Sequence, residues 1–423
     1  KVSIRGLDRG NDAEMIENIE VSLSVYDVIG QDLGESRLEY LLGQAERQTR
    51  QALEPFGYYN PSINVEAPRN GDRLEVVISV TKGAPVTVRR ADVAIEQEGG
   101  RDRYLRQDLE QFQPRPGERF DHSQYEASKI TITRRLAERG YFDADFTQRK
   151  VEITRAQNAA DIDLVWESGA RYDMGQIRFE DDYFREGLFD PLVYWEEGSY
   201  WHEGKLDRLR ESLNKLDYFA TIDIQPQLEQ AHDANSYLVP VDVKLTRAKR
   251  NIYTAGLSYG SESGAGVRGG VERRYVNRRG HKLNTQVDYA QKRKSLLTSY
   301  RIPAFRWLDG WYAVTATGYD EQTDYIDLRT YKLSGSRSGE VSENLTLVAS
   351  INAMRERWRF SSGDGYDGAQ YQSATLFYPQ LVAEYVNVDD RLFPRRGYSG
   401  SATVRAGVTG AGSDASFTQV HLQ

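Results

Sequence analysis

The chain has 423 residues, 39% of them hydrophobic and 28% charged, with 27 tyrosines, 36 glycines and no cysteine. The absence of cysteine excludes a disulfide framework, thiol catalysis and cysteine-based metal sites. Residues 1–250 carry 34 Lys and Arg against 46 Asp and Glu, and residues 251–423 carry 21 against 17, so the acidic first part lacks the basic face that a nucleic-acid partner requires.

One stretch shows the plan of the first 250 residues. Residues 136–172 hold the end of an amphipathic helix, a Gly-Tyr-Phe corner, an alternating strand, a polar turn and a second alternating strand. The same order occurs twice more, and the corner tyrosines are Tyr58, Tyr141 and Tyr218. A spacing of roughly 80 residues is too long for a solenoid repeat, so each repeat predicts a small domain.

Each repeat has the predicted order β-α-α-β-β. The first has a strand at 1–6, helices near 11–26 and 36–56, and strands at 62–67 and 74–80 around a turn at Asn70–Asp72. The second has a strand at 86–95, helices at 101–112 and 123–139, and strands at 143–154 and 161–167. The third has a strand at 174–180, a short helix near 183–192, a helix with a Leu206, Leu209, Leu213 and Leu216 stripe, and strands at 221–228 and 237–245 around a turn at Asp233–Asn235. Ser36-x-x-Glu39 and Ser123-x-x-Glu126 match capping boxes at two helix starts.

After residue 250 the apolar periodicity changes from helical to alternating. Leu283, Thr285 and Val287, for example, alternate with Asn284 and Gln286. About ten such segments follow one another, near 251–259, 265–276, 281–291, 294–302, 310–320, 324–336, 342–358, 370–387, 397–409 and 415–423. Strands of this length with one polar face are typical of a membrane-spanning β-barrel with a wet lumen.

A soluble β-sandwich is the alternative for this part of the chain. Arg301 and Arg405 fall on the polar strand faces, which argues against the dry interior of a sandwich. Segment 416–423 stops in mid-alternation, and an open sheet edge in lipid leaves backbone groups unpaired, so we expect the native chain to continue. Because the chain opens with Lys1 and no apolar leader, we also expect that any export signal has been removed.

No residue pattern points to catalysis. Gly264–Gly269 spells G-x-G-x-x-G, but β-type segments lie on both sides, so a hairpin turn is expected rather than a nucleotide site. The five histidines are scattered and form no metal-ligand or triad spacing. We therefore expect no enzymatic activity, no metal site and no cofactor.

Asp389, Arg391, Pro394 and Gly397 form D-x-R-x-x-P-x-x-G ahead of the strand that starts at Tyr398. Together with the three corner-bearing repeats and the β segments, this motif resembles the outer-membrane assembly family in which POTRA domains precede a β-barrel. A chain with three such units resembles the TamA branch of the family. BamA has five POTRA units, and the two-partner-secretion transporters have two. The implied fold class is α+β POTRA domains followed by an antiparallel transmembrane β-barrel, with about ten of sixteen strands present.

The resemblance implies POTRA domains at residues 1–83, 84–169 and 170–250 and the N-terminal part of the barrel at residues 251–423. It implies an outer-membrane protein with periplasmic POTRA domains that helps fold and insert autotransporters and other β-barrel proteins without ATP. The implied partners are a TamB-like inner-membrane-anchored protein, unfolded clients and outer-membrane lipid. A polypeptide secretion pore of the two-partner type is the alternative function.

In this family a seam between the first and last barrel strands opens laterally. By position the first strand is near 251–260, so the resemblance implies a seam strand that contains Tyr253, Ala255, Gly256, Leu257 and Tyr259. Glycine weakens strand pairing, and Gly256 lies within the strand. We therefore expect client strands to meet the protein at this strand.

Overall fold

The computed structural model describes residues 1–70, 73–233, 236–361, 366, 369–390 and 393–423. The chain forms two units, one of residues 1–173 with 198–203 and the other of residues 174–197 with 204–423. No helix in the described part of the chain is long and apolar enough to cross a membrane.

The first repeat has the predicted β-α-α-β-β order. Its elements are β1 (Val2–Arg5), α1 (Ala13–Ser22), α2 (Glu35–Leu53), β2 (Ser62–Glu66), the short hairpin strands β3 (Arg69–Asn70) and β4 (Arg73–Leu74), and β5 (Val76–Thr81). The sheet order is β1-β5-β2, with β1 parallel and β2 antiparallel to β5. Ile19, Leu53 and Ile78 are fully buried between helices and sheet. Residues 71–72 of the predicted Asn70–Asp72 turn lie outside the described residues.

The second repeat has the same plan. Its elements are β6 (Thr87–Glu96), α3 (Arg103–Glu110), α4 (His122–Glu138), β7 (Asp145–Thr154) and β8 (Ala159–Glu167), and the sheet order is β6-β8-β7. Ile162, Leu164 and Trp166 alternate along β8 and point into the core, where they are almost fully buried. The period of two places all three on the same sheet face.

The third repeat departs from the predicted pattern at two places. Its elements are β9 (Asp173–Glu180), α5 (Glu203–Lys215), β10 (Phe219–Pro226), α6 (Leu228–Asp233) and β11 (Leu238–Arg247), in the sheet order β10-β11-β9. The helix predicted near 183–192 is a single 3₁₀ turn, Asp190–Leu192, since Gly187 has a φ of 75° and Pro191 follows it closely. The short helix α6 was not predicted, and the expected turn after Asp233 falls on residues 234–235, outside the described residues. The leucine stripe of α5 is buried as predicted.

The remaining residues form one continuous ten-stranded antiparallel sheet. Its strands are β12 (Asn251–Gly260), β13 (Gly264–Arg273), β14 (Lys282–Ala290), β15 (Arg293–Pro303), β16 (Leu308–Gln322), β17 (Ile326–Ser342), β18 (Leu345–Phe360), β19 (Gln372–Val388), β20 (Gly397–Gly407) and β21 (Phe417–Leu422). Each strand pairs with its successor in the chain. This arrangement confirms the predicted antiparallel barrel sheet and is not the pair of stacked sheets that a sandwich requires.

The two faces of this sheet differ in chemistry. One face, here the apolar face, carries Val267, Val287, Val314, Leu333, Ile351, Leu381 and Val404, and the opposite polar face carries Arg268, Gln286, Ser334, Asn352, Gln380 and Arg405. The segregation follows from the period of two along each strand and from in-register pairing across the sheet. It is the pattern of a barrel wall with lipid on one side and water on the other.

The two ends of the sheet are distinguished by the position of the third repeat. β11 leads into β12, so the turns at 274–281, 304–307, 343–344 and 389–396 lie at the end next to the third repeat, here the domain end. The turns at 291–292, 323–325 and 408–416 lie at the far end. Strands β16 to β19 have 15, 17, 16 and 17 residues. β16 and β17 are longer than predicted, because polar and charged residues extend them beyond the apolar band.

Candidate functional site

The corner of each repeat forms a joint with the chain that follows it. The residues before the corner tyrosines are Gly57, Gly140 and Asp217, with φ values of 86°, 90° and 55°. A backbone carbonyl of each corner accepts a hydrogen bond from the start of the next segment: Val86 N to Gly57 O at 2.8 Å, Tyr172 N to Gly140 O at 2.9 Å and Ala248 N to Tyr218 O at 2.8 Å. All three corner tyrosines are buried. The repeated motif therefore connects each repeat to the segment that follows it in the chain.

The second joint predicts a specific sensitivity to a single methyl group. A Cβ on Gly140 would lie 2.6 Å from Cβ of Trp201 and 3.0 Å from the carbonyl oxygen of Tyr172. We expect Gly140→Ala to lower the free energy of unfolding by about 1–3 kcal/mol, because the left-handed backbone and the close contacts both oppose a side chain. Urea titration of the full-length protein measures this change.

The matched control is Gly43→Ala in the exposed part of α2, where a Cβ would meet nothing within 4 Å. This variant is expected to raise stability by up to about 1 kcal/mol, because alanine favours a helix over glycine. Equal effects of the two substitutions would contradict the tight packing of the second joint.

The third joint connects the last repeat to the ten-stranded sheet. Tyr218 is fully buried, stacks on Phe184 with 5.0 Å between ring centroids, and donates its hydroxyl hydrogen to the carbonyl oxygen of Gly280 in the β13–β14 turn. Burial raises the pKa of Tyr218, so the hydroxyl remains a donor at neutral pH. The Lys282 ammonium lies 5.3 Å from the Tyr218 ring, a favourable cation–π distance.

Ion pairs surround the third joint. Asp217 accepts from Arg274 Nε at 2.8 Å. At the end of α5, Lys215 Nζ lies 2.8 Å from Glu340 of β17, and Arg208 lies 3.0 Å from Glu343 in the next turn. Two separate turns at the domain end are thus connected to the third repeat, and these contacts stabilise one placement of this repeat against the sheet.

Sequence reasoning identified Tyr218 as a repeated corner but did not find its partners. Gly280 and Lys282 are more than 60 positions away along the chain, and their sequence neighbourhood resembles an ordinary polar turn. One signal was present: the third corner has Asp217 where the first two have glycine. The carboxylate of Asp217 pairs with Arg274 in the β13–β14 turn.

The predicted seam strand is β12. It pairs along its whole length with β13, from Asn251 opposite Arg273 to Gly260 opposite Gly264, and within the described residues its other edge meets no strand. Side chains on the apolar face are highly exposed, with Leu257 at 90% and Tyr259 at 85%. The predicted positions on this face are Tyr253, Ala255, Leu257 and Tyr259, and Gly256 lies on the polar face. The strand follows the third joint directly in the chain.

The D-x-R-x-x-P-x-x-G motif forms the turn between β19 and β20 at the domain end. Oδ1 of Asp389 accepts hydrogen bonds from the backbone nitrogens of Arg395 at 2.9 Å and Arg396 at 3.0 Å. Gly397 has a φ of 133°, and a Cβ there would collide with the carbonyl oxygen of Asn387. Pro394 is exposed within the turn, whereas Arg391 lies outside the described residues. The motif and the seam strand are seven positions apart in the sheet order, so the structure does not bring them together.

The turn predicts a pH effect. Backbone hydrogen bonds from Arg396 and Arg395 lower the pKa of Asp389. A carboxyl group whose folded pKa is depressed contributes stability above its unfolded value of about 3.9, and loses it as the pH falls through the folded pKa. We expect hydrogen-exchange protection of the Arg395 and Arg396 amides to drop below about pH 4 and to be weak at every pH in Asp389→Ala. Unchanged protection in that variant would show that the carboxylate does not hold the turn.

Comparison with known proteins gives matches over both parts of the chain. Residues 1–82 match the family described as POTRA domain TamA domain 1, and residues 89–167 match a POTRA family described as surface antigen variable number repeat. The structure is similar to BamA from Haemophilus ducreyi lacking POTRA domains 1–3, with a TM-score of 0.60, 17% identity, and coverage of 79% of this chain and 65% of that one. CdiB from Acinetobacter baumannii gives a TM-score of 0.40 at 12% identity, covering 92% and 73%. The chain thus spans about two thirds of the BamA structure that it matches.

Three α+β repeats ahead of an antiparallel sheet with an apolar and a polar face are the architecture of POTRA domains followed by part of an outer-membrane β-barrel. Residues 1–82 and 89–167 match POTRA domain families, and the fold of the chain is similar to that of BamA. In proteins of this architecture the POTRA domains are periplasmic, so the domain end of the sheet corresponds to their periplasmic end.

Proposed function

We propose that the protein inserts and folds other β-barrel proteins, autotransporters in particular, in the outer membrane. The observation that carries the proposal is β12, the first strand of the ten-stranded sheet, which follows the third joint directly in the chain. The POTRA domain matches and the BamA-like fold support outer-membrane insertion or secretion as the general class of activity. Within this class, we propose insertion and not secretion.

The chemistry of β12 suits a template for an added strand. A strand edge offers a row of N–H and C=O groups, and an extended client segment satisfies them by β-augmentation. The third joint would hold this edge in a fixed position while the client pairs with it. Because pairing satisfies backbone groups that lipid cannot satisfy, client insertion supplies its own driving force, and the proposed role is non-enzymatic and independent of ATP.

The periplasmic domains would deliver clients and bind the partner. Their three-stranded sheets have β2, β7 and β10 at an edge, where a client segment or a TamB-like inner-membrane-anchored protein could add a strand. Such a partner would connect the inner membrane to the POTRA domains. Unfolded barrel proteins would pass along these edges to β12.

Site-specific crosslinking tests the proposal. Leu257→Cys in β12 is expected to form disulfides with cysteines in a stalled autotransporter barrel, because the proposed template brings the two backbones within pairing distance. Leu333→Cys is the matched control, since Leu333 is 55% exposed on the apolar face of β17 and lies far from the edge. Adducts that form equally at both positions would contradict templating at β12.

Single-channel conductance separates assembly from secretion. A protein that assembles barrels is expected to be closed for most of the recording, whereas a secretion pore would give a steady, wide open state because its lumen conducts the polypeptide. A steady open state together with no client adduct at β12 would replace the proposed function with secretion.

A further inference from the structure

Cations interrupt the apolar face at the far end of the sheet. Four neighbouring strands place Lys294, Asp320, Arg329 and Arg357 side by side in one cross-strand row. Arg355 lies two residues from Arg357 on the same face. The next rows toward the periplasm contain Leu296, Tyr331, Leu333 and Ala353. The cationic patch, here Lys294, Arg329, Arg355 and Arg357, therefore borders directly on the apolar band.

The charges in this patch are not balanced within the row. Asp320 lies 2.8 Å from Arg329, and it is the only carboxylate among the residues that form the row. Arg329 and Arg357 stand directly opposite each other, an arrangement that is destabilising for like charges on one sheet face. All four cations are exposed. A bound anion would remove this repulsion.

The position of the cationic patch indicates which kind of anion binds there. In the proposed outer-membrane protein the domain end is periplasmic, so the far end lies at the outer leaflet, and the apolar face contacts lipid. A ligand at this position must place negative charge beside the cationic patch and hydrocarbon against the apolar band that borders the patch. The Arg357 guanidinium lies 3.7 Å from the centre of the Tyr371 ring, so its planar group is held in place at this level.

We propose that this patch is a binding site for a phosphorylated glycolipid of the outer leaflet, whose phosphates contact the cationic patch and whose acyl chains lie on the apolar band. Arginine suits this role because its planar fork of donors matches phosphate oxygens. The site is independent of whether the protein assembles or secretes its clients. It would fix the depth of strands β15 to β18 in the outer leaflet.

Native mass spectrometry of the full-length protein in nanodiscs with added diphosphorylated lipid A tests the site. We expect Arg355→Gln with Arg357→Gln to weaken lipid A retention about tenfold or more, because charge-assisted contacts are lost. Removing the phosphates from lipid A should weaken binding to the unchanged protein to a similar extent. A heat-dependent electrophoretic shift verifies that each variant is folded.

Arg337→Gln is the matched control on the same face. Arg337 lies toward the periplasmic end, donates to the carbonyl oxygens of Ala304 at 2.8 Å and Ser338 at 2.6 Å, and stacks on Trp307, so we expect lipid A retention to be unchanged. An equal loss of lipid A retention in Arg337→Gln would show that retention depends on the overall surface charge and not on the patch. Retention of phosphatidylglycerol as tight as that of lipid A, or an unaffected folded double variant, would also overturn the proposal.

Discussion

Replacing Tyr218 with alanine is expected to lower the free energy of unfolding by about 3–5 kcal/mol, because it leaves a cavity at a fully buried aromatic site. The substitution removes the Phe184 stacking, the hydrogen bond to Gly280 and the surface under Lys282. Urea unfolding of the protein in liposomes, followed by tryptophan fluorescence, measures the change.

Two further variants separate packing from hydrogen bonding at Tyr218. Tyr218→Phe keeps the ring and should cost only about 1–2 kcal/mol, the penalty for a lost hydrogen bond in a buried site. Tyr40→Ala is the exposed control, since Tyr40 is 57% exposed, and should change stability by no more than about 0.5 kcal/mol. The packing of the third joint would be contradicted if Tyr218→Ala behaved like Tyr40→Ala.

The second large effect is expected from a charge placed in the middle of the apolar face. Ile351→Arg should destabilise the protein by about 2–4 kcal/mol in a bilayer, since a cation near the midplane faces lipid. Ile351 is 57% exposed and stands opposite Gly335 and Pro379, so crowding does not account for the loss. The free energies of unfolding of Ile351→Arg and of the unchanged protein, both measured in liposomes, give this difference.

Ser350→Arg is the control one residue away. Ser350 stands opposite Ser336 and Gln380 on the polar face, where an arginine remains in water. Its substitution should leave stability within about 0.5 kcal/mol of the unchanged protein. Similar losses at positions 350 and 351 would mean that both faces share one environment.

The faces of the ten-stranded sheet could be predicted because alternation is a local property. Leu283, Thr285 and Val287 share one face in the structure, and Asn284 and Gln286 share the other. The lengths of β16 and β17 could not be predicted from the same signal. The apolar pattern ends where the lipid ends, whereas the hydrogen-bond ladder of β17 continues to Ser342.

The helix starts show why a local motif can fail. α2 begins after Gly34, and α4 begins after Asp121, whose carboxylate accepts from the backbone nitrogens of Ser123 and Gln124. Both predicted capping boxes, at Ser36 and Ser123, were therefore wrong. The aspartate two residues earlier is the stronger cap in α4, and the motif alone does not decide between the competing residues.

Only part of the candidate site could be predicted from the sequence. The repeated corners were visible in the sequence because three copies share one spacing, but the function of the corners as joints was not. Each joint depends on a residue with a left-handed backbone conformation, such as Gly57, that contacts a segment further along the chain. Contacts of this kind are properties of the tertiary structure, and a single sequence carries no record of them.

A cysteine scan through β17 and β18 with an environment-sensitive fluorophore, in liposomes, tests the account most directly. The central claim is that the apolar face contacts lipid and the polar face contacts water. Labels at Leu333 and Ile351 should be quenched by brominated lipid and protected from iodide, and labels at Ser334 and Ser350 should show the reverse. Uniform quenching by iodide at all four positions would contradict the account.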